Sequence, residues 1–488
     1  MKKNYSAKKV LQVSMFFFMI ITTNMFAQVG IGTTTPHGSS VLDVSSTTQG
    51  MLAPRMTTAQ KIAIVSPANG LMVYDTELKG LSYYDLPAAT WVGISQGRSK
   101  FKRIKSTDVL ATVLAAELAA GSGTKYLMDS QTLYEINGQV VFNLPIEINN
   151  SYIVGLDSGD DKIVKFGGDL FVGSTGGSIR VVTLVNVGGR VFNITAANTE
   201  NLIFRDLIIA NSANVGNLNG FGFVFSSIVQ YSGNTNGIVY NNITKVLLTN
   251  QGWFGNNSGT YETFTGSFEL IGKQGGFSEV SGASIGIDVS SDPVVSVDAS
   301  MDGVLFTGVP TTGFLVKRYT TGSYTGYNFN NKWSVNCTGL PLEADRFALG
   351  DYYYNYAVGS GVSTSLSGSA AKLAGVSASD NLYRFSRGGV DNRLTYLGSK
   401  KRYFRATGTV SFQADANGTT YIFYIAKNGV VIGKSKIYIK ANSSSDLLAI
   451  PLVVLTELSP TDYLEVYAEK FGGGSGSVIV AALNMNVF

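Results

Sequence analysis

The chain has 488 residues, of which 44% are hydrophobic and only 14% charged, with 56 glycines; at roughly 100–200 residues per domain it is too long for one compact globule, and its composition suits an ordered β-protein with many turns. Four of the 37 basic residues, Lys2, Lys3, Lys8 and Lys9, precede Ala27 and no acid does, which leaves 33 of each sign beyond it; that balance gives no field to gather phosphate backbones and disfavours a nucleic-acid partner. One histidine and one cysteine exclude zinc fingers, the paired-histidine metalloprotease helix, a Cys/His dyad and an internal disulfide framework, so neither a metal nor a cofactor is expected. Residues 1–27 read as a secretory leader: a basic start, an apolar core from Met15 to Ile21, then Ala27 before Gln28, where cleavage is expected. No later segment approaches about 18 continuous apolar residues, so the mature chain carries no expected membrane span.

Residues 28–97 break into short strand-like pieces separated by turn residues. His37 lies among Gly, Thr and Ser just after the leader, a poor place for the base of a catalytic triad. The run VGIGTTTP (Val29 to Pro36), the segment Ser39 to Gln60, ANGLMVYDT (Ala68 to Thr76) and Trp91 resemble a module near the N-terminus of many secreted Bacteroidetes proteins of the cell-wall-anchor type. The strands around Val41, Leu42, Val44 and Leu71 to Tyr74 are too short for a core of their own, and such strands persist by pairing with neighbours or with copies of themselves.

Residues 98–125 begin with Arg98, Lys100, Lys102, Arg103 and Lys105, read as a solvated linker rather than an acidic-ligand patch. Thr107-Asp108 then opens an expected helix with Leu110, Val113, Leu114 and Leu118 on one face and Gly121 at its end. Its order, amphipathic helix, GSGT turn, then short strands from Tyr126, resembles the opening of pectate-lyase-like and tailspike-like right-handed β-helices. Residues 126–318 support a parallel solenoid independently: short apolar strands recur with Gly, Asn or Asp corners. In the stretch from Asn201 to Asn211, Leu202 and Phe204 alternate, then Leu207 and Ile209 resume one position out of phase after Arg205-Asp206, the mark of a chain turning a corner. A period of roughly 20–25 residues gives about eight rungs.

Residues 319–375, with tyrosines clustered from Tyr352 to Tyr356, read as a neck. Residues 376–488 read as about eight strands, the number of a jelly-roll sandwich, with Asn428-Gly429 as a hairpin turn. The strand RATGTVSF (Arg405 to Phe412), the hairpin Tyr421 to Ile432, DYLEVYAE (Asp462 to Glu469) and the last strand resemble trimeric heads of the tumour-necrosis-factor type and the tips of phage fibres. Both faces of the strand from Tyr421 to Ala426 are apolar, so Ile422 and Tyr424 are expected at a threefold axis.

Candidate chemistry is sparse. Asp157, Asp160, Asp161, Asp288, Asp292, Asp298 and Asp302 are the carboxylates from which a lyase or a glycosidase pair would be drawn, but aspartate is also a corner residue that bonds its own backbone. No catalytic residue is therefore assigned. Trp253, Tyr261 and Trp333 are the aromatics that would stack on sugars, with a buried structural role as the competing reading. Asn149-Asn150, Asn241-Asn242 and Asn256-Asn257 suit ladders along stacked rungs, and Cys337 suits a small buried hydrophobe. The expectation is an all-β, secreted, homotrimeric surface fibre or adhesin with a solenoid shaft and a jelly-roll head. The alternatives are a noncatalytic glycan-binding protein and a β-helix polysaccharide lyase or hydrolase.

Overall fold

The computed structural model describes residues 9–12, 15, 28–94 and 100–488; Ala27 and Arg98 lie outside them. The chain divides into two compact units, residues 1–99 and 100–488. In the first, Val29–Ile31 pairs parallel with Leu42–Val44, and the strands Arg55–Met56, Met72–Asp75, Gly80–Asp85 and Thr90–Gly93 form a second small sheet. Thr57 caps the short helix Thr58–Ile62 through a reciprocal capping box with Gln60. Among residues 28–94 the only buried side chains are Lys61, Val73, Asp75 and Ser82. Three of the four are polar, and Lys61 and Asp75 form an ion pair at 2.7 Å.

The second unit opens with a parallel β-solenoid. Among the described residues its strands form one sheet of 13 and one of nine. On the nine-stranded sheet Tyr126, Ile146, Phe171, Phe192, Gly216, Ile238, Glu262, Ile287 and Val316 stand in register, 20 to 29 residues apart, which makes about eight turns. At ~4.8 Å per turn the stack is on the order of 40 Å long. The interior is one continuous apolar cluster from Ile104 to Cys337. The corner expected at Arg205-Asp206 is present: Asp206 takes a left-handed φ of 53° inside the strand Asn201–Ala210, with Leu202, Phe204, Leu207 and Ile209 all pointing inward.

Three sequence expectations are corrected at the ends of the solenoid. The basic stretch is no linker where it is described, because Phe101–Lys105 pairs parallel with Leu133–Asn137 and Ile104 is fully buried. The expected helix is two pieces, Leu110–Val113 and Ala115–Ala120, and Asp108 bonds the Lys105 amide instead of capping it. Leu110 and Leu114 nevertheless join the solenoid core. The expected neck is divided: Trp333–Thr338 is the last solenoid strand, whereas Leu349–Asn355 and Val362–Ser367 pair antiparallel with the terminal strand Ser475–Val487. In this C-terminal part, among the described residues, antiparallel sheets of six and seven strands bury one apolar cluster between them.

Candidate functional surfaces

The carboxylates singled out from sequence are mostly corner braces. Burial alone would raise the Asp161 carboxyl, but the amides of Gly138, Asp157 and Leu156 donate to it and hold it below the usual range. Asp157 accepts from the Gly159 amide. The Thr320 hydroxyl and the Thr320 and Thr321 amides likewise keep Asp292 low. Burial opposes the same effect at Asp288, where Ser290 and Lys317 prevail. A general acid needs the opposite, a raised carboxyl. Burial raises the Glu343 carboxyl, but it is sealed inside the fold, accepting the amides of Asn328 and Phe329.

The aromatic candidates are interior. Trp253 is sandwiched between Tyr231, at 3.8 Å between ring centres, and Tyr261, at 5.1 Å. Trp333 packs on Phe329 and donates its indole N–H to the Tyr319 hydroxyl at 3.0 Å. All three candidates are buried, so no sugar ring reaches them. The reason lies in the pattern: each falls on the inward phase of its strand, and a solenoid interior takes large rings as readily as a groove does. Ile422 and Tyr424 are also 1% and 4% exposed in the single chain. Tyr438 and Glu469 flank Ile422, Tyr467 flanks Tyr424, and Lys436 reaches over the Tyr424 ring at 5.7 Å. Within the single chain these long neighbours already cover this apolar face.

Three cations of the basic stretch meet carboxylates. Lys102 meets Glu117 at 2.6 Å, Arg103 meets Glu135 at 2.5 Å, and Lys100 lies 3.5 Å from Asp129. The His37 ring contacts the Ser39 hydroxyl at 2.7 Å, and Asp43 accepts from the His37 backbone amide rather than from the ring. Burial raises the Cys337 thiol. Among the described residues no three His, Cys, Asp or Glu side chains group so as to hold a metal ion, and no helix is long and apolar enough to cross a membrane.

Where the last solenoid strand meets the terminal sheets there is a cleft of about 310 Å³, with Asp298, Asp302, Lys332, Asn336, Arg346 and Lys400 on its walls. Of the seven aspartates only Asp298 and Asp302 reach it. Asn336 donates to Asp302 at 2.8 Å, and Lys400 lies 3.6 Å from Asp298. Its floor is Arg384, buried, which donates to the Asp345 carboxylate, the Asn331 and Trp333 carbonyls and the Tyr383 hydroxyl. Hydroxyl, amide, carboxylate and ammonium groups converge there, a set suited to hydrogen bonding a polyhydroxylated molecule and without a nucleophile–base pair. Sequence reading missed Lys400, Arg346 and Arg384 because only folding brings them beside residues some 50 to 100 positions earlier.

The first unit offers a surface of another kind. Among its described residues, against one buried aliphatic, Val73, stand exposed Val29, Ile31, Val41, Leu42, Met51 and Leu52. A parallel β-solenoid of about eight turns followed by antiparallel sheets, with few helices, fits a tailspike- or fibre-like protein. Residues 30–108 match the family described as phage tail like trimerisation region, which fits that class. None of the curated proteins matches the chain significantly.

Proposed function

We propose that the chain is one of three in a secreted homotrimeric surface fibre. Residues 28–97 assemble the copies, the solenoid is the rigid shaft capped by the helices after Asp108, and the terminal sheets form a jelly-roll head that meets a ligand or matrix. The observation that carries this reading is how little residues 28–94 bury: an independently folded domain does not leave Val41 78% and Leu52 77% exposed while burying one valine among them. Three copies closing on one another would remove that surface, and the similarity of residues 30–108 to a trimerisation region supports three as the number. Light-scattering mass of residues 28–488 at micromolar concentration should give three chains, and Leu42→Glu with Leu52→Glu should lower it. A monomer before substitution would overturn the proposal.

The cleft at the end of the shaft favours a second reading, a saccharide-binding fibre. Profiling the protein on an array of neutral and acidic oligosaccharides, beside Lys400→Ala with Asn336→Ala, tests it; equal signals from both proteins would dismiss the cleft.

A further inference from the structure

One face of the solenoid differs from the rest in what it leaves out. On the nine-stranded sheet four successive strands carry the tripeptides Asn193-Ile194-Thr195, Asn217-Leu218-Asn219, Val239-Tyr240-Asn241 and Thr263-Phe264-Thr265. The middle residue of each is fully buried in the core, so its two neighbours point outward. Pairing aligns these neighbours into two rows, Asn193, Asn217, Val239 and Thr263 in one and Thr195, Asn219, Asn241 and Thr265 in the other. Apart from Val239 every outward side chain in the two rows is an amide or a hydroxyl, and none is ionisable or aromatic. The 13-stranded sheet is built otherwise: its outward positions on neighbouring rungs carry Arg205, Phe225, Lys245, Phe277 and Asp302.

The two rows form a regular mesh. Rungs stack about 4.8 Å apart, and alternate residues of a parallel strand lie about 6.6 Å apart. No register shift interrupts the pairing across these four strands, whereas the 13-stranded sheet slips between Phe268 and Leu270 and again between Asp302 and Leu305. The Thr265 hydroxyl donates to the Asn241 side-chain oxygen at 2.9 Å, and the Asn241 amide donates to the Asn219 side-chain oxygen at 3.0 Å. Side-chain ladders of this kind hold a sheet flat against its own twist. Ion pairs mark the two ends of the patch, Arg190 with Asp169 and Lys317 with Asp288.

A flat, uncharged mesh of hydroxyls and amides suits few ligands. A saccharide finds no aromatic face to stack on, and a protein partner finds no large side chain to anchor it. Water in ice repeats in two dimensions at distances close to both spacings of the mesh. A charged side chain gathers water into a shell that does not fit that lattice, whereas a neutral hydroxyl or amide bridges to ordered water at little cost. We propose that the Asn/Thr face of the nine-stranded sheet adsorbs to ice through water ordered on its two rows. The inference goes beyond the fibre reading and holds for one chain or for three.

The test is partition at a slowly advancing ice front, with residues 28–488 quantified in the ice and in the remaining liquid. A solute that does not adsorb is pushed ahead of the front. The expected result is enrichment in the ice, lost in Asn219→Lys with Thr263→Lys and kept in Thr249→Lys, which puts the same charge on an outward position of the 13-stranded sheet. Asn217→Lys alone is the second variant and should lose the enrichment too, with circular dichroism showing that each protein is folded. Exclusion of the unsubstituted protein from the ice overturns the proposal whatever the variants do. Enrichment that survives in folded Asn217→Lys and in the double variant, or that Thr249→Lys removes equally, overturns it as well. Retention on microcrystalline cellulose or chitin without enrichment in ice would overturn it in favour of a polysaccharide. None of these outcomes bears on the light-scattering mass, so the trimer stands or falls separately.

Discussion

Inside the solenoid, Lys273 and Glu262 form an ion pair at 2.8 Å with both side chains buried. Taking two charges out of water costs nearly what their attraction returns, so such a pair adds little net stability while both members are present. Removing one is another matter. Lys273→Met or Glu262→Leu alone should cost about 3–5 kcal/mol, and the double variant should recover most of it; denaturant midpoints of the four proteins in a cycle decide this. A second residue-scale strain lies on the surface. Ile228 is exposed and β-branched yet sits at φ 54°, a conformation that costs an L-residue roughly 1–2 kcal/mol. Ile228→Asn should therefore stabilise the protein by about 1 kcal/mol, read as a raised melting temperature. Neither feature was legible in the sequence. Lys273 stands in an alternating strand at a position that is inward only once register is set, and nothing at Ile228 announces a corner.

At the scale of elements, the corner is legible at some rungs and silent at others. Val181, Asp206, Ile228, Asn250, Gly275 and Gly303 all have left-handed φ and succeed one another along the stack. Asp206 shows it through the phase slip of its neighbours, and Asn250 and Gly275 through residue type. The asparagine ladder was half legible. Asn257 accepts from both the backbone and side-chain amides of Asn234, and Asn234 in turn accepts from the Ser212 amide. Asn257 was visible in its pair, whereas Ser212 and Asn234 join through rung stacking alone. Asn234→Ala would leave several buried groups unpaired, at a cost on the order of 3 kcal/mol. The aspartate braces add a pH dependence of known sign. Asp161, Asp288 and Asp292 are held below their ordinary range, so their stabilisation is complete above the unfolded value near ~4 and is lost as pH falls through the lower folded values. Glu343, raised by burial, works in the opposite sense and softens the loss. Stability measured by denaturant from pH 6 to pH 2 should fall, with a shallower acid limb in Asp161→Asn with Asp292→Asn.

For residues 100–488 as a whole, a solenoid followed by antiparallel sheets is what the chain builds, and those sheets take in the strand Leu349–Asn355. The tyrosine run from Tyr352 to Tyr356 looked like irregular aromatic clustering because its strand is apolar inward and pairs with Ser475–Val487, more than 120 residues on; no local pattern reveals a partner at that distance. A solenoid is quasi-one-dimensional, each rung stabilised by its neighbours, so its last rung must be closed by something. Here Arg384 of the terminal sheets bonds the Asn331 and Trp333 carbonyls, Asn331 donates back to the Leu397 carbonyl at 2.6 Å, and Tyr383 stacks on Tyr327 at 4.1 Å. Asp345 binds both Arg384 and the amides of Ser399 and Lys400. This polar joint couples two bodies that each have a separate apolar core. Cutting it should therefore loosen the coupling more than either core. In calorimetry the unsubstituted chain should unfold its solenoid and terminal sheets in one transition, and Arg384→Met, which strands the Asp345 carboxylate and both carbonyls, should separate that peak into two. A single peak merely displaced to lower temperature would mean that the bodies are held together by apolar contact and that Arg384 only seals the junction.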